Sequence, residues 1–255
     1  MNHEQLAKKA PAIFAQKPHA KVSENYTFVP TVDVISAFEQ MGFEPIFAKQ
    51  QRVRDASRKE TCKHTVLLQH RDEKVRDIFG KMLPTLRIIN SHDWSSTLQV
   101  YFGMLRLVCQ NGLMFAGEQF AQYIVRHDSV IEDSRAIAGR FQSAVGRMYS
   151  VAEQWAGIIL PDEKAKEFAL GAAVLRFGEE RATLSLADVL LATRRKEDES
   201  RDLWTLFNVV QENVTKGGVK DPNREGARNS RELVNIEEER RVNVELFELA
   251  MQYAR

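Results

Sequence analysis

Apolar residues change their spacing along the chain near residue 128. Before that point they come at every second residue or in short runs; after it they come at every third or fourth. The early part contains FEPIFAKQQRVR (43–54), TCKHTVLLQHR (61–71), TLRIINSH (85–92), TLQVYFGMLRLVC (97–109) and FAQYIVRH (120–127). These segments are rich in β-branched and aromatic residues and joined by short polar linkers, which predicts strands. From Leu98 to Met104 apolar and other positions alternate, the period of a half-buried strand. Gly103 and the shift of phase to Leu105, Leu107 and Cys109 predict a bulge or a strand buried on both faces. Asn111-Gly112 predicts a turn. Upstream, Thr31 reads as the N-cap of a helix carrying Val34, Ile35, Phe38 and Met41 and ended by Gly42. Residues 1–25, polar and holding Pro11 and Pro18, read as a flexible N-terminal arm.

Beyond residue 128, Val130, Ser134, Ile137, Phe141, Val145, Met148, Ala152, Trp155 and Ile159 form one stripe close to a 3.5-residue repeat. One long helix follows, its stripe packing on the sheet, and such a helix also favours a homo-oligomer. Pro161 opens a second helix, Ser185 and Ser200 are placed to cap a third and a fourth, and the fourth closes at Gly217-Gly218. A last helix runs from about Ser230 to Tyr253, after the turn-rich, mobile loop KGGVKDPNREGARNSR (216–231). The fold class expected is α+β: a mostly antiparallel β-sheet from the N-terminal half covered by a helical C-terminal half that includes one long helix. Residues 26–255 form a single domain on this reading, with the sheet in 43–127 and the helices in 129–253.

Composition changes this picture little. Of 255 residues, 36 are Lys or Arg and 35 Asp or Glu, so global charge argues for neither nucleic acid nor membrane. Cys62 and Cys109 have no CxxC spacing and read as reduced thiols. No apolar run is long enough to span a membrane or to serve as a signal peptide, so a cytoplasmic protein without membrane contact is expected. Neither G-x-x-x-x-G-K-[ST] nor G-x-G-x-x-G occurs, which excludes a P-loop enzyme as far as sequence can.

The densest candidate chemistry is the cluster Asn90, Ser91, His92, Asp93, Ser95 and Ser96. A base His92 oriented by Asp93 beside a serine nucleophile would be a hydrolytic arrangement. Neighbouring residues on an extended chain point to opposite faces, however, and no G-x-S-x-G is present. Asn, Ser and Asp also bond to nearby backbone amides and pin corners, which is the preferred reading. His64, His70, His92 and His127 lie on or at the ends of strands, near Asp72, Asp93 and Asp128, but no spacing matches a metal motif. No catalytic residue, metal ligand or cofactor is assigned; a divalent metal at His92 is the one possibility left open, and enzyme activity is not favoured.

Two segments carry local positive charge. Lys49, Arg52, Arg54, Arg58, Lys59 and Lys63 face two acids, and Lys216, Lys220, Arg224, Arg228 and Arg231 likewise face two. Repeated accessible cations are what phosphate backbones require, and Phe43, Phe47 and Tyr101 are candidates to stack on unpaired bases. Arg194 to Asp198 is of mixed sign and reads as a salt-bridged helix end.

NSHDWSSTLQVYFGMLRLVCQNGL (90–113), RH (126–127), RRKED (194–198) and LWTLFNVVQENVTKGG (203–218) together resemble a family of phages, plasmids and related mobile elements. It is known as domain of unknown function 932, or phage/plasmid-like protein, and the likeness runs in order from about Tyr26 to Tyr253. The family usually has Gly after the His-Asp pair, where this chain has Trp94. A glycine at positive φ there would mean either strain at Trp94 or a turn built differently. The resemblance implies a mobile-element context in a bacterial cell and no established activity. The leading expectation is a non-catalytic nucleic-acid-binding protein, for which DNA, in particular single-stranded DNA, is the partner, in annealing, recombination or replication. An anti-restriction or anti-defence protein that binds a host defence protein is the alternative, and a metal-dependent nuclease or hydrolase the third.

Overall fold

A computed structural model of the chain describes residues 1–23, 26–71, 82–106, 111–114, 123–124, 130–223, 226 and 228–254. His127, Cys109, Asp72, Asp128 and Arg224 lie outside the described residues. The chain divides into two compact units, the first comprising Met1–Leu107, Gly112–Met114 and Glu118–Gly146, the second Val108–Asn111, Phe115–Gly117 and Arg147–Arg255. The sequence alone suggests a single domain from residue 26.

The first unit starts with α1 (His3–Lys9), opened by a capping box between Asn2 and Gln5. A 3-10 turn (Pro11–Phe14) follows. The polar composition of these residues predicts a flexible arm. Leu6, Ala10 and Ile13 nevertheless recur on one helical face, and all three are fully buried. The segment is tied to the sheet edge: the Met1 amino group donates to the Pro45 carbonyl, and Ala12 N donates to Gln50 Oε1 at 3.0 Å. Helix α2 (Thr31–Gln40) has Pro30, not Thr31, at its N-cap, and no side chain caps it. Thr31 is instead its first helical residue, because its hydroxyl is spent elsewhere.

Strands β1 (Phe43–Gln50), β2 (His64–His70), β3 (Met82–Asn90), β4 (Gln99–Arg106) and β5 (Asn111–Met114) neighbour one another in that order, and the short β6 (Tyr123–Ile124) pairs with β4. The pairs β1–β2, β2–β3, β3–β4 and β4–β6 are antiparallel. Pro45 sits on the edge strand β1, where a missing N–H is tolerated, next to a bulge between Pro45 and Phe47. Asn111-Gly112 begins a strand instead of making a turn. Nor does Gly103 mark a bulge: it pairs with Thr85 without a register shift. A Cβ there would lie 2.3 Å from the Leu113 carbonyl oxygen, so the glycine permits the close approach of β5. Strands β2 and β3 are buried almost throughout, on both faces. Phe43 and Tyr101, offered as base-stacking residues, belong to the core at 1% and 4% exposure, while Phe47 is exposed.

The long helix α3 (Val130–Ala156) has 27 residues, and the boundary between units falls inside it. Its stripe is buried from Ser134 to Trp155, but the helix stops at Ala156 and Ile159, counted in the stripe, is 66% exposed. Phe141 packs on Phe43, His70 and Phe102 in the first unit. In the second unit Trp155 packs on Trp204, Phe207 and Phe247. That unit adds α4 (Asp162–Phe177), α5 (Leu184–Leu190), α6 (Leu203–Lys216) and α7 (Ile236–Met251). The caps of α5 and α6 are Thr183 and Asp202, not Ser185 and Ser200; Asp202 accepts from Thr205 N, and the Ser200 hydroxyl only supports it. Asn235 caps α7, which therefore starts later than Ser230. Among the described residues no helix is long and apolar enough to cross a membrane.

A buried histidine pair and a strained corner at one end of the sheet

The register of β1, β2 and β3 places Gln50, His64 and Asn90 side by side at one end of the sheet. The first residue of α2 lies against that end. Thr31 Oγ1 is 2.7 Å from His64 Nε2, 3.3 Å from His92 Nε2 and 2.9 Å from Asn90 Nδ2. Thr31, His64 and His92 are fully buried and Asn90 is 3% exposed. The roles follow from counting protons. His64 Nδ1 lies 2.9 Å from the Cys62 carbonyl and must donate to it, so in the neutral ring Nε2 accepts. The Thr31 hydroxyl therefore donates to His64, and its two lone pairs accept from Asn90 and from His92 Nε2–H. His92 Nδ1 is buried and makes no hydrogen bond among the described residues.

Both rings are held neutral. Burial pushes His64 down to about 4, against weaker opposing pulls from the Cys62 carbonyl and Asp93. Burial, then the neighbouring His64, pushes His92 down to about 3, and Asp93 and the Ala12 backbone oppose this without reversing it. The ring centroids are 5.2 Å apart, and Phe28 packs on His92 at 4.8 Å.

After His92 the chain turns at a dense polar corner. His92 N donates to Thr61 O at 2.7 Å, and His19 N donates to His92 O at 2.8 Å. Ser96 N donates to Ser91 Oγ, which donates to Ser96 O, and Tyr26 Oη donates to Ser91 O. Asp93 Oδ1 accepts from Ser95 N and Oγ at 3.1 and 2.6 Å, and Oδ2 accepts from Arg58 Nε and Nη2 at 3.0 and 2.6 Å. Burial pushes the Asp93 carboxyl up, but the bonds from Ser95 and Arg58 outweigh it and leave the carboxyl below its ordinary value. Asp93 thus clamps the loop after β1 onto the corner. It does not orient His92, whose bond goes to Thr31, so these residues make no Ser-His-Asp arrangement. Trp94, next in the chain, takes φ +66°, the one positive φ at a non-glycine among the described residues, and is 65% exposed. Of the two readings the sequence left open, Trp94 takes the strained one, at a φ that favours glycine.

Of the four histidines singled out, His64 and His92 converge, whereas His70 is at the far end of β2, stacked on Phe141. Among the described residues no group of three or more His, Cys, Asp or Glu is placed to hold a metal. Cys62 is a buried free thiol, pushed up to about 11 by burial and so protonated. In the basic loop Arg52, Arg54 and Lys59 are exposed, Arg58 is engaged by Asp93, and Lys49 is half-buried. In the second unit Lys220 and Arg228 are exposed and Lys216 pairs with Glu232 at 3.0 Å. Sequence reasoning missed Thr31, whose partners are 33 and 61 residues away.

The motifs at 194–198 and 203–218 prove to be one structural unit. Arg195 forks onto Glu212 at 2.8 and 2.7 Å and reaches Asp198 at 3.0 Å. Arg194 donates to Asn213 Oδ1 at 2.9 Å and to the Gly217 carbonyl. The salt-bridged reading of Arg194 to Asp198 is thus met.

Replacing Trp94 with glycine tests the corner. A bulky residue in the left-handed region costs roughly 1–2 kcal/mol, and glycine costs roughly 0.5–1 kcal/mol in chain entropy. Trp94→Gly is expected to leave stability equal or raise it by up to about 1.5 kcal/mol in urea unfolding. A clear loss would mean that the indole stabilises the corner by more than its strain.

Fold and site define an α+β protein with a two-histidine polar core at one sheet end and a strained, clamped corner over it. A family model described as domain of unknown function (DUF932) matches residues 18–242, and the chain belongs to that family. Two Escherichia coli (strain K12) proteins are similar to it, UPF0380 protein YfjQ and UPF0380 protein YafZ. Each is 34% identical over 256 residues, covering 98% of this chain and 90% of the relative. No solved structure matches the chain.

Proposed function

We propose that the protein binds single-stranded DNA without cleaving it, at the sheet end that carries the Asp93 corner. The observation that carries this reading is Trp94, an exposed indole next in the chain to Asp93, which Arg58 ties to a loop with exposed Arg52, Arg54 and Lys59. Single-strand binders combine a cationic track for phosphates with aromatic faces for bases, and the stack is indifferent to sequence. Neutral, hydrogen-bonded His64 and His92 support the corner and are not offered as catalytic groups. The setting we infer is annealing or protection of single strands during recombination or replication of a phage or plasmid genome.

Fluorescence anisotropy with a labelled oligothymidylate and its duplex, across a salt series, tests this. Binding should prefer the single strand, with log affinity falling by about 0.7 per phosphate contacted for each decade of salt. Arg52→Ala and Arg54→Ala should each flatten that slope, and Trp94→Ala should weaken binding by about 1–3 kcal/mol, the worth of a stacked base. Absence of binding at low salt, or binding indifferent to salt, overturns the proposal. DNA binding untouched by Trp94→Ala would point to the indole as an anchor for a partner protein.

A further inference from the structure

The second unit contains a cavity of about 570 Å³ whose described lining includes Arg176, Arg181, Arg228 and Arg231, with Asp221 as its carboxylate and Phe177 in its wall. It is assembled from separated segments. Arg176 and Phe177 end α4, and Arg181 follows in the turn after Gly178. Arg228 and Arg231 come from the returning limb of the loop after α6. That limb is fixed: Gly218 N donates to Ser230 O at 2.8 Å, Ser230 N to Val219 O at 2.7 Å and Val219 N to Ser230 Oγ at 3.1 Å. Gly217, at φ +72°, allows the approach, since a Cβ there would meet Ser230 O at 2.5 Å. Arg176 is the anchor of the wall, donating to Val214 O at 3.0 Å, Arg231 O at 3.1 Å and Glu238 Oε1 at 3.2 Å.

Four guanidinium groups against Asp221 in the lining and Glu238 on Arg176 leave an excess of two positive charges among the described residues. Arg176 has Glu238, and Arg181 has a long pairing with Asp221 at 3.6 Å. Arg228 and Arg231 are exposed and have no carboxylate partner among the described residues. Burial most strongly disfavours the charge on Arg176; Glu238 opposes this, and Arg181 and Arg241 add to it. The guanidinium groups of Arg176 and Arg181 already lie 5.3 and 5.2 Å from the Phe177 ring centroid, so that ring braces the arginines. Planar forks of this kind match phosphate oxygens, and a cavity of this size accommodates a nucleotide.

We propose that this cavity is a binding site for a small polyphosphorylated anion, with the charge of a nucleoside di- or triphosphate. Two excess charges exceed what a monocarboxylate neutralises, and the exposed forks of Arg228 and Arg231 suit the repeated oxygens of a di- or triphosphate group. The site is independent of the DNA reading, which concerns the first unit.

Isothermal titration of the full chain with inorganic tripolyphosphate, and separately with adenosine triphosphate, is the test, at physiological salt and without added metal. Saturable binding at one site per chain is expected for both probes. The double variant R228Q/R231Q should bind at least tenfold more weakly; neither side chain is buried, so its melting temperature without ligand should match the parent's. Arg52→Ala/Arg54→Ala should bind tripolyphosphate like the parent, whatever happens to its DNA binding. Adenosine triphosphate binding more tightly than tripolyphosphate would assign a nucleotide; equal affinities would assign a site for the phosphate chain alone, and both support the proposal. No saturation by either probe at millimolar concentration, or unchanged affinity in R228Q/R231Q, overturns it. Displacement of tripolyphosphate by an oligonucleotide lacking terminal phosphates also overturns it, since the site would then belong to a nucleic-acid track.

Discussion

Lowering the pH from 7 to 5 is expected to remove about 3–4 kcal/mol of folding stability through His64 and His92 alone. In the unfolded chain both rings take up a proton as pH falls through about 6.5. In the folded protein burial delays this to about 4 for His64 and about 3 for His92. Between those limits the unfolded state binds more protons, so stability falls as pH falls, by up to about 1.4 kcal/mol per pH unit for each ring. Above pH 7 the two rings leave stability unchanged. Burial is the main cause of the resistance to protonation, and the hydroxyl adds to it: a charged His64 would present N–H on both sides and turn a donor toward the Thr31 hydroxyl, which already accepts twice. Urea midpoints collected from pH 8 to 4.5 read this out. His92→Gln, which cannot titrate, should lose about half of the pH dependence. A flat profile between pH 7 and 5 would contradict the neutral pair.

Thr31→Val should be the most damaging small substitution in the first unit, at about 3–5 kcal/mol. Valine matches threonine in shape but leaves the Asn90 amide, the His92 Nε2–H and the His64 Nε2 lone pair buried without their partner. Each such orphan costs roughly 1–3 kcal/mol, with some relief from local movement. Thr31→Ser keeps the hydroxyl and loses one methyl group, a cost of about 1 kcal/mol. Chemical denaturation of the two variants distinguishes a hydrogen-bonding role from a packing role. Similar losses would assign Thr31 to packing alone.

What was legible in the sequence is what local spacing encodes. The alternation at 98–104 marks β4, and the stripe beginning at Val130 marks α3, whose Phe141 and Trp155 are buried at 2% and 0% exposure. The polar corner was also legible, because Asp93 bonds Ser95 two residues on and Ser91 bonds Ser96 five residues on. The partners of Thr31 were not, since only the sheet register brings His64 and Asn90 abreast and only the packing of α2 adds the hydroxyl. A threonine before a helical pattern looks like a cap whether or not its oxygen is needed elsewhere. Helix α1 was hidden by polar composition around a face of three apolar residues. The arginine cavity draws on residues 176 to 231, a span over which local pattern carries no information. Trp94 is different: the family's usual glycine left strain or another turn open, and Trp94 takes φ +66°.

The chain has three tryptophans, at 94, 155 and 204, and the fold divides them unevenly. Trp94 is the sole indole of the first unit and stands 65% exposed, whereas Trp155 is fully buried in the second with Trp204 at 6.2 Å. Fluorescence is therefore a spectroscopic address for each half. Emission most reachable by a soluble quencher comes from the Asp93 corner, the half-buried Trp204 is less reachable, and emission shielded from it comes from Trp155. Exchange of Trp94 for a non-emitting aromatic leaves the second unit as the only indole source, so events at the arginine cavity and at the corner can be followed apart in one chain.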